Sequence, residues 1–186
     1  MRLIVWLVSL SFTVCCMAQA DTNGDIFVAA RDAYKARDQR VLSLYSQQLQ
    51  AENYMLAPYV EYWRLLLQLE QTSPAEYQEF LNRYADLPFS DRIRAEWLKL
   101  LGKRQDWATF FAEVPKLVQP DAGVTCYALT GRDAQGEASA LQEGKAIWLD
   151  ATDQPANCDA MFERMLGNKL LDTEDIWARV RLSLAK

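Results

Sequence analysis

The chain contains no histidine. That absence removes Ser–His and Cys–His nucleophile systems and the commonest zinc ligand together. Glycine is sparse as well, and the seven glycines are too scattered to form a G-x-G-x-x-G or Walker loop that could cradle phosphate. No stretch has the twelve-residue calcium-loop pattern. Asp150, Asp153 and Asp159 lie close together, but they read as helix caps and solvated loop residues. Positive charge is in deficit, with 20 Lys and Arg against 25 Asp and Glu and a net charge of −5. Without a basic cluster the chain lacks the phosphate contacts on which nucleic-acid binding depends, and it is poorly suited to an anionic lipid surface. No cofactor, no metal and no catalytic residue are expected.

Long apolar runs are also missing, apart from one at the start. Met1-Arg2 is a short positive beginning, Leu3 to Val14 is apolar, and Ala18-Gln19-Ala20 offers small residues ahead of the polar Asp21-Thr22-Asn23-Gly24. This is the layout of a secretory signal peptide over 1–20, cleaved after Ala20. The run is short for a membrane anchor, which needs roughly 20 apolar residues, so no stable membrane insertion is expected. Cys15 and Cys16 raise a lipoprotein reading, but Thr13 and Val14 are poor matches to the small residue usually required before a lipidated cysteine. Residues 21–186 are long enough for one domain with a real core. Only Cys126 and Cys158 lie beyond the leader. In an oxidising compartment they are expected to form a disulfide rather than a metal pair or a nucleophile, with free buried thiols as the alternative.

What the chain does have is helix-length segments punctuated by proline and cap residues. Helices are expected over Asp25–Arg37, Asp38–Leu49, Leu56–Glu70, from a Ser73 capping box with Glu76 to about Tyr84, and from Ser90 or Asp91 to about Gly102. Further helices are expected over Asp106–Val114, Ala122–Leu129, Glu137–Leu149, Asn157–Leu166 and Thr173–Leu184, with Gly131, Gly136, Pro155 and Gly167 as breaks. No segment alternates with period two between turn signals, so the class is all-α. The segment LAPYVEYWRLLLQLE has almost no polar side: Tyr59, Tyr62, Trp63 and Leu66 share one face, and Val60, Leu65, Leu67 and Leu69 widen it. Such a helix must be covered on at least two sides. A shift of 34 positions places Tyr59 on Ile93, Trp63 on Trp97, Leu66 on Leu100, Leu67 on Leu101 and Tyr77 on Phe111. A common offset for two successive helices is what a hairpin repeat predicts, and 34 is the tetratricopeptide period, although the tetratricopeptide consensus is not matched.

Two kinds of side chain remain as functional candidates. Glu61, Glu96 and Glu113 lie in apolar helical context, and each is expected to be salt-bridged rather than to serve as an acid. Aromatic residues at helical spacing are usually core, but Trp107, Tyr59 and Trp97 are put forward as sugar-stacking positions, with Trp107 the best placed to be exposed.

The patches LAPYVEYWRLLLQL, FLNRYADLPFSDRIRAEWLKLLGKRQDWATF, VTCYAL, CDAMFERM and TEDIWARVRLSLA occur in an order that resembles the amino-terminal portion of the soluble lytic murein transglycosylases. The resemblance covers nearly all of residues 25–186. It implies a periplasmic protein whose paired antiparallel helices form a right-handed-type α-superhelix, a U-shaped, tetratricopeptide-like solenoid. In that family the superhelix helps to ring a peptidoglycan glycan strand. A separate lysozyme-like domain cleaves between N-acetylmuramic acid and N-acetylglucosamine to leave a 1,6-anhydro sugar. The family's catalytic Glu-Ser dipeptide and its Gly-Leu-Met-Gln and Ala-Tyr-Asn-Ala-Gly-like motifs are not found here, so no catalytic residue carries over. The resemblance therefore implies a truncated form that keeps the non-catalytic scaffold. Its terminal helix, with Ile176, Trp177, Val180 and Leu184, is expected to expose an apolar face open to self-association. The alternative is a standalone periplasmic helical-repeat module that binds a protein or glycan partner.

Overall fold

The computed structural model describes residues 14–150 and 153–185, with side chains from residue 22. The apolar centre of the expected leader, residues 3–13, lies outside the described residues. The described residues form ten α-helices and no strand: α1 (Val14–Lys35), α2 (Gln39–Ala51), α3 (Ala57–Leu67), α4 (Pro74–Arg83), α5 (Pro88–Lys103), α6 (Trp107–Glu113), α7 (Ala122–Ala134), α8 (Ala140–Trp148), α9 (Asp159–Gly167) and α10 (Thr173–Leu184). Short 3-10 turns at Val114–Lys116 and Ala156–Cys158 follow α6 and precede α9. The class is all-α, as the periodicity predicts. α1 passes through Ala20 without a break and extends the expected first helix toward the amino terminus.

Helix starts follow the cap chemistry closely. Asp38, Asp106 and Asp121 each accept a hydrogen bond from the backbone N–H three residues on, at 3.0, 3.2 and 2.9 Å. Each such cap satisfies a donor that the first turn leaves over and stabilises its helix by about 1 kcal/mol. α10 carries a full capping box, formed by Asp172 and Asp175. At α4 half of the expected box exists: Ser73 accepts from the Glu76 N–H, while the Glu76 carboxylate turns to Arg64 at 2.6 Å. α5 corrects the expected start at Ser90 or Asp91. It begins at Pro88, whose fixed φ suits the first turn. Ser90 then donates to the Tyr84 carbonyl, and the Asp91 carboxylate accepts from the N–H groups of Val118 and Gln119.

Helix ends use one device repeatedly. After α1, α2, α5, α7 and α9 a single residue adopts a left-handed conformation: Arg37, Asn53, Gln105, Gly136 and Lys169, with φ between 50° and 90°. In each turn that residue's N–H returns to the carbonyl three residues back, and the next N–H returns five back, as from Asp38 to Ala33 and from Leu170 to Met165. This is the Schellman closure. Only one of the five is glycine, so the breaks expected at Gly131 and Gly167 misplace the turning residue. Gly131 is interior to α7, and α9 turns at Lys169, two residues beyond Gly167.

The helices gather into two compact units divided between Phe80 and Leu81. In the first, Ala30 and Ala33 of α1, Leu42 and Leu49 of α2, and Ala57 and Val60 of α3 form the core. Their spacings of three and seven are those of single helical faces. Trp63 lies beside Phe27 and stacks on Tyr34, with ring centroids 5.4 and 5.6 Å away. The end of α3 is finished by its neighbours. Gln39 donates to the Leu67 carbonyl at 2.9 Å, and the buried Tyr77 hydroxyl of α4 approaches the Leu65 and Leu69 carbonyls at 3.4 and 3.3 Å. These donors reach carbonyls at a helix end that has no further turn to satisfy them. α3 is thus covered by α1 and α2 and tied to α4, as its nearly all-round apolar character requires. Its buried side nevertheless runs through Ala57, Val60, Glu61, Tyr62 and Leu65, which leaves Tyr59 38% exposed.

In the second unit α5 and α6 form a hairpin, α7 packs on α5, and α8 and α9 close over α7. One cluster of its core comprises Cys126, Leu129, Leu141, Cys158, Met161, Phe162, Met165 and Leu171. Two interior glycines set the helix spacing. A Cβ on Gly102 would lie 2.3 Å from the Tyr127 ring, and one on Gly131 would lie 2.6 Å from the Trp107 ring. Both helices forgo the better helix former so that an aromatic ring can lie against backbone. The 34-residue offset relates α3 to α5 and α4 to α6 along the chain, but not in burial: Tyr59 is exposed where Ile93 is fully buried.

Candidate functional surface

Among the described residues no cluster of His, Cys, Asp or Glu could hold a metal ion. Two of the three acidic candidates are placed by ion pairs. Glu113 at the end of α6 is 4% exposed; Arg94 of α5 holds one of its oxygens at 2.6 Å and Lys116 the other at 2.7 Å. A carboxylate engaged by two cations ties α5 to α6 and has no oxygen left over for proton transfer to a substrate. Glu96 pairs with Lys99 at 2.8 Å. Glu61 is buried in α3 rather than partly exposed.

The aromatic candidates separate. Trp97 is 1% exposed, on the buried face of α5, and offers no surface on which a sugar could stack. That expectation is corrected: the face carrying Ile93, Trp97, Leu100 and Leu101 is turned inward. Trp107 is half-buried, its ring lying against Gly131 and near Phe110 and Phe111, with centroids 6.0 and 6.5 Å away. Tyr59 alone of the three is exposed. Trp177 on α10, 56% exposed, is the more open aromatic. Trp148 packs edge-on to Phe162 and donates from Nε1 to the Asp175 carbonyl at 3.0 Å, which seats α10 against α8.

Cys126 of α7 and Cys158 of the turn before α9 are joined in a disulfide, both fully buried. Beside it the Asn157 side chain donates to the Gly123 carbonyl at 2.8 Å, so covalent and hydrogen bonds hold the same junction. Charge pairs surround this layer. Asp121 is desolvated by burial, yet the Val124 N–H and the Lys99 ammonium outweigh that and hold its carboxyl below its usual range. Lys99 answers in the opposite sense: burial would depress it, but Glu96 and Asp121 raise it. Lys145 of α8 hydrogen-bonds Asp175 of α10 at 2.7 Å, lowering the carboxyl and raising the ammonium. Arg132 near the end of α7 clamps Glu137 and Glu143 together, so both carboxyls are lowered by its hydrogen bonds. The clamp was not anticipated from sequence, although the spacing of Arg132 to Glu137 across a turn was there to be read. Large apolar side chains are exposed as well, Tyr59 and Trp177 among them.

No family model matches the sequence. The sequence is similar to the soluble lytic murein transglycosylase of Salmonella typhimurium, with 26% identity over 174 residues covering 92% of this chain. It is 25% identical to the Escherichia coli enzyme over the same share. The chain spans 27% of the length of those relatives and matches their amino-terminal region. Among solved structures, an inactive variant of the lytic transglycosylase Slt from Pseudomonas aeruginosa superimposes with a TM-score of 0.67, at 28% identity over 85% of this chain and 25% of that one. The 70-kDa soluble lytic transglycosylase of Escherichia coli shares the fold, with a TM-score of 0.64 over 88% of this chain and 26% of that one. A complex of the 70-kDa soluble lytic transglycosylase with bulgecin A gives 0.65.

Proposed function

We propose that this chain is the non-catalytic helical scaffold of a periplasmic peptidoglycan-processing protein of the soluble lytic transglycosylase kind. It would engage glycan strands without cutting them. The observation that carries the reading is similarity running along 92% of the chain together with a TM-score of 0.67. A match of sequence and fold over that length shares helix order and packing, not only composition. The residues support a binding rather than a cleaving role. Glycosyl transfer by this chemistry needs a carboxylic acid placed to protonate the glycosidic oxygen. Glu113 has both oxygens bound to cations, and Glu96 is tied to Lys99. Tyr59 and the open edge of Trp107 are the proposed sugar-stacking positions, since an aromatic ring face suits the apolar face of a pyranose. In the full-length family the reaction forms 1,6-anhydro-N-acetylmuramic acid, and we assign that step to sequence other than these residues. The periplasm fits the expected leader and a disulfide closed in the core.

The test is incubation of the purified protein with isolated sacculi, followed by chromatography and mass spectrometry of the soluble fraction. The reading expects no 1,6-anhydro products above buffer. Their accumulation in proportion to protein would overturn it.

A further inference from the structure

α10 presents an apolar stripe that its own unit covers only in part. Ile176, Trp177, Val180 and Leu184 are 40, 56, 38 and 81% exposed. The helix is held from its opposite side, where Asp175 meets Lys145, the Asp175 carbonyl meets Trp148, and Arg179 donates to the Asp150 carbonyl. Thr173, Trp177, Val180 and Leu184 follow the four-three-four spacing of a coiled-coil seam. Ile176 borders the seam on one side. Glu174 and Arg181, seven residues apart, border it on the other, 77 and 61% exposed in their side chains and paired with each other at 2.6 Å.

Charge runs along this helix in one direction. Its first turn is acidic, with Glu174 and Asp175 after the Asp172 cap, and its last turn carries Arg181. Two such helices packed side by side in the same direction would bring like ends together. Packed in opposite directions they are complementary throughout. When Trp177 faces Val180 of a second copy, Thr173 faces Leu184, Ile176 faces Ser183 and Glu174 faces Arg181. The two-fold axis repeats each pairing, and the helix dipoles oppose one another favourably. The seam registers and the charges register at the same offset.

We infer that α10 is a self-association surface on which a second copy of this chain binds through an antiparallel α10–α10 pair, fixed in register by reciprocal Glu174–Arg181 contacts. The inference is independent of glycan binding. The seam is only three turns long, well short of the roughly 800 Å² per partner of a standard interface, so association is weak and becomes visible at about 100 µM protein and above.

Sedimentation equilibrium of the whole protein from about 10 µM to 1 mM at low salt reads this directly. The expected mass rises from one copy toward two. Glu174→Arg and Arg181→Glu each set like charges across the seam, and each is expected to stay monomeric. An equimolar mixture of the two variants restores both cross-pairs, although neither chain regains its own internal pair, so the mixture is expected to dimerise. Trp177→Ser, at an exposed position, is expected to abolish association with an unchanged circular-dichroism melt. A monomer at every concentration, a mixture no heavier than its components, or association that survives Trp177→Ser would overturn the proposal.

Discussion

At the scale of single residues, what a side chain meets decides its role, as Gly131 and Tyr59 show. Gly131 looks like a helix breaker and is a spacer: the Trp107 ring occupies the volume its side chain would fill. Gly131→Ala gains helix propensity of about 1 kcal/mol, but its Cβ meets a ring that is itself braced by Phe110 and Phe111. Overpacking of that kind costs about 1–3 kcal/mol, so the expected outcome is a net loss, read as a lower urea midpoint with unchanged slope. An equal or higher midpoint would show that α6 can move aside. Ile93 and Tyr59 occupy corresponding places in two helices related by the 34-residue shift, yet one is core and the other surface. The sequence could not separate them, because α3 is apolar around most of its circumference. Which part of it is covered depends on where α1, α2 and Tyr77 arrive. Cap residues were legible for the opposite reason: Asp38, Asp106 and Asp121 act on N–H groups three residues away, and nothing distant is needed to complete them.

At the scale of elements, turns and cross-links decide. Gln105 and Lys169 hold φ of 58° against the steric preference of an L-residue. Replacing either with glycine is expected to stabilise by about 0.5–1 kcal/mol, where the same change inside a helix would destabilise. Chemical denaturation of Gln105→Gly and Lys169→Gly checks this, and a loss of stability in both would contradict it. These closures were invisible in sequence because the residues that make them carry no glycine signal. They turn left-handed because the flanking helices pack against each other and leave the chain nowhere else to go. The cross-link was legible from the expected compartment and the cysteine count alone. Cys126 and Cys158 lie 32 positions apart in sequence, and closing a loop of that size stabilises by about 3–4 kcal/mol on the chain-entropy model. Reduction, or the double replacement Cys126→Ala with Cys158→Ala, is expected to lower stability by that order. An unchanged melting temperature under reductant would mean the packing of α7 against α9 is sufficient by itself.

At the scale of the whole molecule, the missing histidine and the paired charges set the response to pH. Asp121, Asp175, Glu137 and Glu143 have lowered carboxyls. The stability they contribute is therefore fully present above the ordinary carboxylate range and is lost as pH falls through their lowered values. Lys99 and Lys145 are raised, so their contribution is present below the ordinary lysine value and is lost only as pH rises through the raised ones. With no imidazole between these windows, stability is expected to be flat from roughly pH 5 to 9 and to fall on the acid side. A thermal-denaturation series across that range checks it, and a midpoint that moves steadily between pH 6 and 8 would contradict it.

The central claim, that this helical stack engages glycan without cutting it, is tested most directly by cosedimentation with purified sacculi. The account predicts that the protein pellets with the sacculi in a saturable manner and that the sacculi remain undissolved. It also predicts that Tyr59→Ala, in protein still folded by circular dichroism, weakens binding by about 1 kcal/mol or more. Protein that stays wholly in the supernatant at every concentration of sacculi would contradict it.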